Sequence, residues 1–220
     1  MKRLAIFDFD GTLADTSEGI LYCYDHGAAQ LGYVPAPREQ YEGVIGGHVD
    51  AGFRKVYGMD RALSERAMQI YRELYQEKGM YLAHLYDGME RTLRRLKDAG
   101  IRIALATLKH ERFAEKMLQN LGVSDYFDCI CAFDGSTGCD KKVLLHRVCR
   151  TLNIPEQDSV LIGDSVFDAI GAEQAGMDFL AVTYGLGFRN AAQAQEQANA
   201  GVLAAADEIY PALICLCTEN

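Results

Sequence analysis

Four aspartates lie in two short segments that each follow an apolar run. The first segment, Asp-Phe-Asp-Gly-Thr, begins at Asp8 and includes Asp10; the second, Gly-Asp-Ser-Val-Phe-Asp, includes Asp164 and Asp168. Ligand sites of open α/β sheets lie beyond the carboxyl ends of strands, so the four carboxylates would converge at one sheet edge. Unpaired, they would repel one another and raise their pKa values. A hard divalent cation with oxygen ligands, Mg²⁺, fits such a cluster best.

The residues alone also allow simpler interpretations of both segments. A calcium-binding loop is not favoured, because it needs flanking helices and a bidentate glutamate at its end. The first segment could be a plain acidic turn, and Asp164 and Asp168 could merely cap a helix that follows Gly163.

Two further polar residues stand at the ends of predicted elements. Thr107 closes an apolar run that begins at Ile101, and Lys141 begins a helical pattern. A hydroxyl can donate a hydrogen bond, and an ammonium group can supply a point charge, to a phosphoryl oxygen. Lys109 and Lys142 are alternative candidates for the cation, so the residues leave this choice open.

The pattern of apolar residues predicts an α/β fold, a doubly wound parallel sheet of the Rossmann-like kind. Near-continuous apolar runs, typical of parallel strands covered on both faces, occur at 4–7, 101–106, 127–131, 159–163 and 179–184. Amphipathic stretches alternate with these runs, which is the pattern of a doubly wound sheet. In one such stretch, Phe167 and Ile170 form the apolar stripe before Gly176.

One interval, residues 16–85, contains no convincing strand and carries apolar stripes at helical spacing instead. Its second stripe consists of Leu63, Ala67, Ile70 and Leu74. We therefore predict two domains: an α/β core of residues 1–15 plus 86–220, and an inserted all-helical domain of residues 16–85.

Composition and charge exclude several classes of protein. The 220 residues carry 22 Lys and Arg against 31 Asp and Glu, and the net charge of −9 opposes attraction to nucleic acid or an anionic membrane. The first apolar run ends at Asp8, too early for a secretory signal. No stretch approaches the roughly 18 apolar residues of a membrane span. We expect a cytoplasmic protein.

The order of the motifs resembles the haloacid dehalogenase superfamily of phosphotransferases. The matching residues are the Asp-x-Asp-Gly-Thr segment at Asp8, then Thr107, Lys141 and the Gly-Asp-x-x-x-Asp segment at Gly163, and together they span nearly the whole chain. With a helical insert after the first motif, the sequence is most similar to the phosphoglycolate phosphatase-like branch.

This resemblance implies a phosphoric monoester hydrolase, a Mg²⁺-dependent phosphatase that hydrolyses small phosphomonoesters through an aspartyl-phosphate. Asp8 would be the nucleophile. Asp10 would protonate the leaving oxygen and then deprotonate the attacking water. Thr107 and Lys141 would bind the phosphoryl group during its transfer.

The resemblance also implies how the metal is held. The Asp8 side chain, the Asp10 backbone carbonyl and Asp164 would be ligands of Mg²⁺, and Asp168 would steady a bound water. The inserted helical domain would act as a cap, and the partner would be a small phosphorylated metabolite, with the chain a monomer or a homodimer.

Two features depart from the pattern of this family. Typical members carry Ser or Asn after the motif threonine, whereas Leu108 and Lys109 follow Thr107 here, so a side-chain contact is lost. The insert reads Val-Ile-Gly-Gly-His up to His48, where many relatives carry a Gly-Pro type loop. His48 is a candidate for the substrate pocket, beside the simpler interpretation of an exposed loop histidine.

Two alternative functions stay open at this point. A phosphomutase of the β-phosphoglucomutase type would keep Asp8 and Asp10 but return the phosphoryl group to a sugar. A phosphorylation receiver, which is a switch and not an enzyme, also gathers acids, a threonine and a lysine at a sheet edge, but receivers have about 120 residues and no helical insert. A dehalogenase is not expected, because that branch lacks an acid at the position of Asp10.

Overall fold

The computed structural model describes residues 2–41, 43–45, 47–197 and 200–218. The chain divides into two compact units. The core unit comprises Met1–Asp15 and Leu85–Asn220, and the helical unit comprises Thr16–His84. Among the described residues, no helix combines the length and the apolar character that crossing a bilayer requires.

Strands and helices alternate through most of the core unit. In chain order the strands are β1 (Leu4–Phe7), β2 (Ala14–Asp15), β3 (His84–Leu85), β4 (Arg102–His110), β5 (Cys129–Phe133), β6 (Ser159–Gly163), β7 (Asp178–Val182) and β8 (Gly201–Leu203). The helices are α1 (Ser17–Ala29), α2 (Val49–Tyr57), α3 (Arg61–Glu77), α4 (Met89–Asp98), α5 (Glu111–Asn120), α6 (Lys141–Leu152), α7 (Val166–Ala175), α8 (Ala191–Gln195) and α9 (Ile209–Thr218).

Six strands of the core unit form one sheet in the order β5-β4-β1-β6-β7-β8, and all neighbouring pairs are parallel. Every residue of β1 is fully buried, as expected for a central strand covered by helices on both faces. The predicted α/β fold with a parallel sheet is therefore confirmed. The short strand β8 was not predicted, because three residues do not make a recognisable apolar run.

The sheet grows outward from β1 in both directions, towards β4 and β5 on one side and towards β6, β7 and β8 on the other. Phe7 at the end of β1 is paired with Leu105 of β4 and Ile162 of β6. The carboxyl ends of these three strands therefore meet at the point where the strand order reverses, which is where open sheets bind ligands.

Helix α7 packs with a different face from the predicted one. Phe167 and Ile170 are 63% and 42% exposed, so the prediction that they form the buried stripe is wrong. The buried face consists of small residues, because a Cβ atom on Gly171 would lie 2.5 Å from Cγ of Lys141 in α6. This close approach of two helices leaves no room for large apolar side chains.

The helical unit contains α1, α2 and α3, and aromatic rings fill its interior. The rings of Tyr24 and Tyr71 lie 5.1 Å apart, and those of Tyr24 and Phe53 lie 4.7 Å apart. In α3 the buried positions are Ser64, Ala67, Tyr71 and Tyr75. Of the predicted stripe Leu63, Ala67, Ile70 and Leu74, only Ala67 is buried; the other three are half-buried at the margin of the aromatic cluster.

Candidate active site

Five of the predicted site residues lie at the carboxyl edge of the sheet. Asp8 follows β1, Thr107 lies near the end of β4, and Asp164 follows β6. Lys141 is the first residue of α6, and Asp168 lies in the first turn of α7. Their positions follow from the alternation of strands and helices, since each helix begins where a strand has just ended at this edge.

Lys141 joins two of the aspartates. Its Nζ atom lies 2.7 Å from Oδ1 of Asp8 and 2.7 Å from Oδ1 of Asp168, and it donates a hydrogen bond of 3.0 Å to the carbonyl oxygen of Ala106. The lysine is 5% exposed, so these contacts replace the water that a buried ammonium group loses. The three contacts tie the ends of β1 and β4 to the starts of α6 and α7.

Backbone amides hold the carboxylate of Asp164. Oδ2 of this residue accepts hydrogen bonds from the amides of Leu186, at 2.7 Å, and Gly187, at 2.8 Å. The surrounding loops approach so closely that a Cβ atom would lie 2.0 Å from this oxygen at Gly11 and 2.5 Å from it at Gly185. Gly11 also has a φ angle of +79°, which L side chains rarely adopt. Glycine is thus required on both loops.

Asp168 has two roles in the structure. Its Oδ2 atom accepts from the Oγ hydroxyl of Ser165 at 2.5 Å and from the Ser165 amide at 3.2 Å, and its own amide donates to Oγ of Ser165 at 3.3 Å. This is a capping box at the start of α7. The simple interpretation of Asp168 as a capping residue therefore holds for one oxygen, while the other contacts Lys141.

Burial and mutual repulsion control the charges of the cluster. Burial raises the pKa of Asp164 to about 8, and the charges of Asp168 and Asp8 add to the rise. Burial also raises the pKa of Asp8 to about 6, against the opposing effect of Lys141. Burial disfavours the charged form of Lys141, but its carboxylate partners outweigh this effect and the pKa of Lys141 lies above its ordinary value.

The donor set of this cluster fits a divalent cation. Asp8, Asp164 and Asp168 each offer a carboxylate oxygen, and these oxygens lie within 4.8 Å of one another. Lys141 supplies one positive charge against three carboxylates, of which those of Asp164 and Asp168 are buried. Oxygen ligands of this kind suit Mg²⁺. The carboxylate of Asp168, predicted only to steady a water, belongs to this group of three.

Asp10 and Thr107 lie beside this cluster with different partners. Oδ1 of Asp10 is 2.9 Å from Nζ of Lys109, and the Asp10 carboxylate does not belong to the group of three. The prediction assigned the Asp10 carbonyl, not its carboxylate, to the metal. Thr107 is 1% exposed, and its Oγ1 atom accepts a hydrogen bond of 3.1 Å from the amide of Lys109.

The three candidate lysines have different contacts in the structure, and the site includes residues that were not predicted. Lys141 contacts Asp8, Lys109 contacts Asp10, and Lys142 is half-buried on α6. The new residues are Ser165, Leu186 and Gly187. Ser165 precedes Asp168 by three positions, and this capping-box spacing was a usable signal. His48 lies in the helical unit, exposed, at the start of α2.

Comparison with known proteins gives matches over most of the chain. A family model described as haloacid dehalogenase-like hydrolase matches residues 5–182. The tyrosine-protein kinase PtkA of Mycobacterium tuberculosis is 33% identical over 187 residues, which make up 84% of this chain and 63% of that relative. The chain thus spans less than two thirds of the length of PtkA.

Two further matches extend over most of this chain and most of the matched protein. The phosphoglycolate phosphatase of Psychrobacter arcticus is 32% identical over 204 residues, 85% of this chain and 86% of that protein. The crystal structure of a predicted phosphatase from Clostridium acetobutylicum superimposes with a TM-score of 0.87 at 27% identity, over 97% of this chain and 99% of that one. These matches confirm the resemblance that the motif order predicted.

Proposed function

The chain belongs to the haloacid dehalogenase-like hydrolase family, and on this basis we propose that it is a Mg²⁺-dependent phosphatase of small phosphomonoesters. The observation that carries the proposal is the position of Asp8. Its carboxylate is 13% exposed at the end of β1, and Lys141 holds it at 2.7 Å beside two further carboxylates. A partly exposed acid in such a cluster can attack phosphorus while its surroundings offset the negative charge of the phosphate.

In the first step, an oxygen of Asp8 attacks the phosphorus atom, and the bond from phosphorus to the leaving oxygen breaks. Asp10 gives its proton to that oxygen, so that the product leaves as an alcohol. Lys141 contacts Oδ1 of Asp8, and we assign the attack to Oδ2. The hydroxyl of Thr107 accepts from the backbone through its oxygen and can donate its proton to a phosphoryl oxygen.

In the second step, water attacks the phosphorus atom of the aspartyl-phosphate. Asp10 takes a proton from this water, the bond between Asp8 and phosphorus breaks, and inorganic phosphate leaves with Asp8 restored as a carboxylate. Asp10 thereby regains the proton that it lost in the first step. Both steps balance without a further reactant.

The side chains of Asp8 and Asp164 and the carbonyl of Asp10 would hold Mg²⁺ when it is bound, with Asp168 beside them. The ion supplies positive charge that offsets repulsion between the Asp8 carboxylate and the phosphate dianion. Lys141 supplies a second positive charge, which is part of the protein itself. Its Nζ atom contacts Oδ1 of Asp8 and Oδ1 of Asp168.

We also propose that the helical unit, which corresponds to the predicted domain of residues 16–85, serves as a cap. Such a cap would select the leaving group and exclude bulk water. Phosphoglycolate-like esters are the expected substrates, in line with the name of the Psychrobacter relative. The expected setting is the cytoplasm, with the chain a monomer or a homodimer.

A phosphate-release screen over small phosphomonoesters tests the proposal. Wild type should release phosphate over many turnovers with Mg²⁺ and stop when EDTA is added. Asp8→Asn should remain folded by circular dichroism and release none, because an amide is not a nucleophile for phosphorus. Full activity in folded Asp8→Asn would overturn the role of Asp8.

Two other outcomes would replace the proposed function. A sugar bisphosphate intermediate without net phosphate release would indicate a phosphomutase. Transfer of labelled phosphate from ATP to tyrosine of a protein acceptor, without hydrolysis of any small ester, would indicate the activity named for PtkA.

A further inference from the structure

We propose that Lys109 is a positioning residue that holds the carboxyl group of Asp10 in place for proton transfer to the leaving group. The inference rests on the proposed function, in which Asp10 is the acid and the base. Nζ of Lys109 lies 2.9 Å from Oδ1 of Asp10, and the two side chains are only 7% and 14% exposed. The same Nζ atom lies 5.5 Å from the ring centroid of Phe9.

An irregularity in β4 places Lys109 at this position. Thr107 is paired with Ala132 of β5, and His110 is paired with the next residue of β5, Phe133. The two residues between them, Leu108 and Lys109, therefore have no paired residues in β5. Bulges of this kind bend the strand and redirect side chains, and they are frequent beside active sites.

Contacts within the bulge support this assignment. The amide of Lys109 donates to Oγ1 of Thr107, which closes the bulge onto a predicted phosphate-binding residue. Leu108 is 37% exposed, whereas the side chain of Lys109 is 7% exposed. The exposed leucine is the residue that departs from the family pattern, and the neighbouring lysine is the one that the bulge brings to the site.

The contact matters because proton transfer requires an acid within hydrogen-bond reach of the leaving oxygen, and the ammonium group can donate to Oδ1 of Asp10 while Oδ2 carries the proton. Asp10 stands on the turn that follows Phe9, next to Gly11, which has a positive φ angle. A short carboxylate on such a turn has several rotamers, and an ion pair with a largely buried ammonium group selects among them. Lys141 contacts Asp8 and Lys109 contacts Asp10, so each of the two proposed reactive acids is paired with a different lysine.

The dependence of the rate on the leaving group tests this role. Hydrolysis of an alkyl phosphate such as phosphoglycolate expels an alkoxide, which needs the proton, whereas p-nitrophenyl phosphate expels p-nitrophenolate, a stable anion that needs it much less. We expect Lys109→Met to lower kcat/KM about 100-fold on the alkyl ester, within the range for general acid catalysis, and far less on the aryl ester. Lys109→Arg should restore part of the loss on the alkyl ester.

Lys97→Met is the matched control, because Lys97 also contacts an aspartate, Asp128, which precedes β5 at the amino ends of the strands. It should leave both rates unchanged. Circular dichroism and urea unfolding verify folding, and Lys109→Gln takes the place of a methionine variant that does not fold.

The outcomes separate the inference from the proposed function. Equal losses on both esters, or no loss on either, would overturn the role of Lys109 while the phosphatase function stands. A wild-type protein that hydrolyses neither these two esters nor any other in the screen overturns the proposed function and the role of Lys109 with it.

Discussion

Replacing Asp164 with asparagine should stabilise the metal-free protein at pH 8. The side chain is 3% exposed, and its charge is unfavourable in the absence of a cation: burial raises its pKa from the ordinary value of 3.8 to about 8, helped by the charges of Asp168 and Asp8. An asparagine keeps an oxygen that can accept from the amides of Leu186 and Gly187 and removes only the charge.

The size of the stabilisation expected for Asp164→Asn follows from the linkage between protonation and folding. Because the folded protein binds this proton more tightly than the unfolded chain, its contribution to stability is complete below about pH 4 and is lost as the pH rises towards 8. One pKa unit corresponds to about 1.4 kcal/mol. Asp164→Asn should therefore raise the free energy of unfolding by up to about 5 kcal/mol at pH 8 and by about 2 kcal/mol at pH 5.

Urea unfolding followed by circular dichroism, with EDTA or Mg²⁺ at both pH values, measures these differences. Mg²⁺ should stabilise wild type more at pH 8 than at pH 5, and it should stabilise Asp164→Asn little. Glu173→Gln, which removes an exposed carboxylate from α7, is the control and should change little at either pH. The reasoning is refuted if metal-free Asp164→Asn is no more stable than wild type at pH 8, or if the difference does not shrink at pH 5.

Three further substitutions test the packing and charges of the site. Gly11→Ala should destabilise the fold and weaken the effect of Mg²⁺ on urea unfolding, because the new Cβ atom would lie 2.0 Å from Oδ2 of Asp164. The control is Gly122→Ala, at a similar φ of +72° but with open space around it. It should cost only the backbone strain of about 1 kcal/mol and leave the Mg²⁺ effect intact. Lys141→Met should lower the free energy of unfolding by about 3–5 kcal/mol in EDTA, since it leaves buried Asp168 and largely buried Asp8 without their cation. Wild-type stability in that variant would contradict the ion pairs. Ser165→Ala should cost about 1 kcal/mol in the same assay through loss of the capping box, and an unchanged unfolding midpoint would count against it.

The local pattern was sufficient to predict most elements and the candidate residues at their ends. The runs 4–7 and 159–163 coincide with β1 and β6, and the aspartates that follow them lie at the carboxyl edge of the sheet. Such predictions succeed because an apolar run, a turn and a helix start are each properties of a few consecutive residues.

Packing faces were harder to predict than elements. Phe167 and Ile170 have the spacing of a buried stripe, yet they are exposed, because α7 approaches Lys141 too closely at Gly171 for large side chains. In α3 the tyrosines at 71 and 75 are buried, whereas Leu63, Ile70 and Leu74 of the predicted stripe are only half-buried. The buried face of a helix depends on its neighbour, and the sequence of the helix does not contain that neighbour.

Local hydrophobic periodicity was enough to place the acids, the hydroxyl and the lysines at the ends of strands and the starts of helices, because it depends on a few consecutive residues. Which lysine contacts which acid depends on the folded chain: Lys141 contacts Asp8 across 133 positions, and a bulge in β4 places Lys109 beside Asp10. The same is true of the backbone amides of Leu186 and Gly187, which donate hydrogen bonds to the Asp164 carboxylate. Contacts between residues so far apart arise from strand order, register and close approach of loops, which no short segment of sequence specifies.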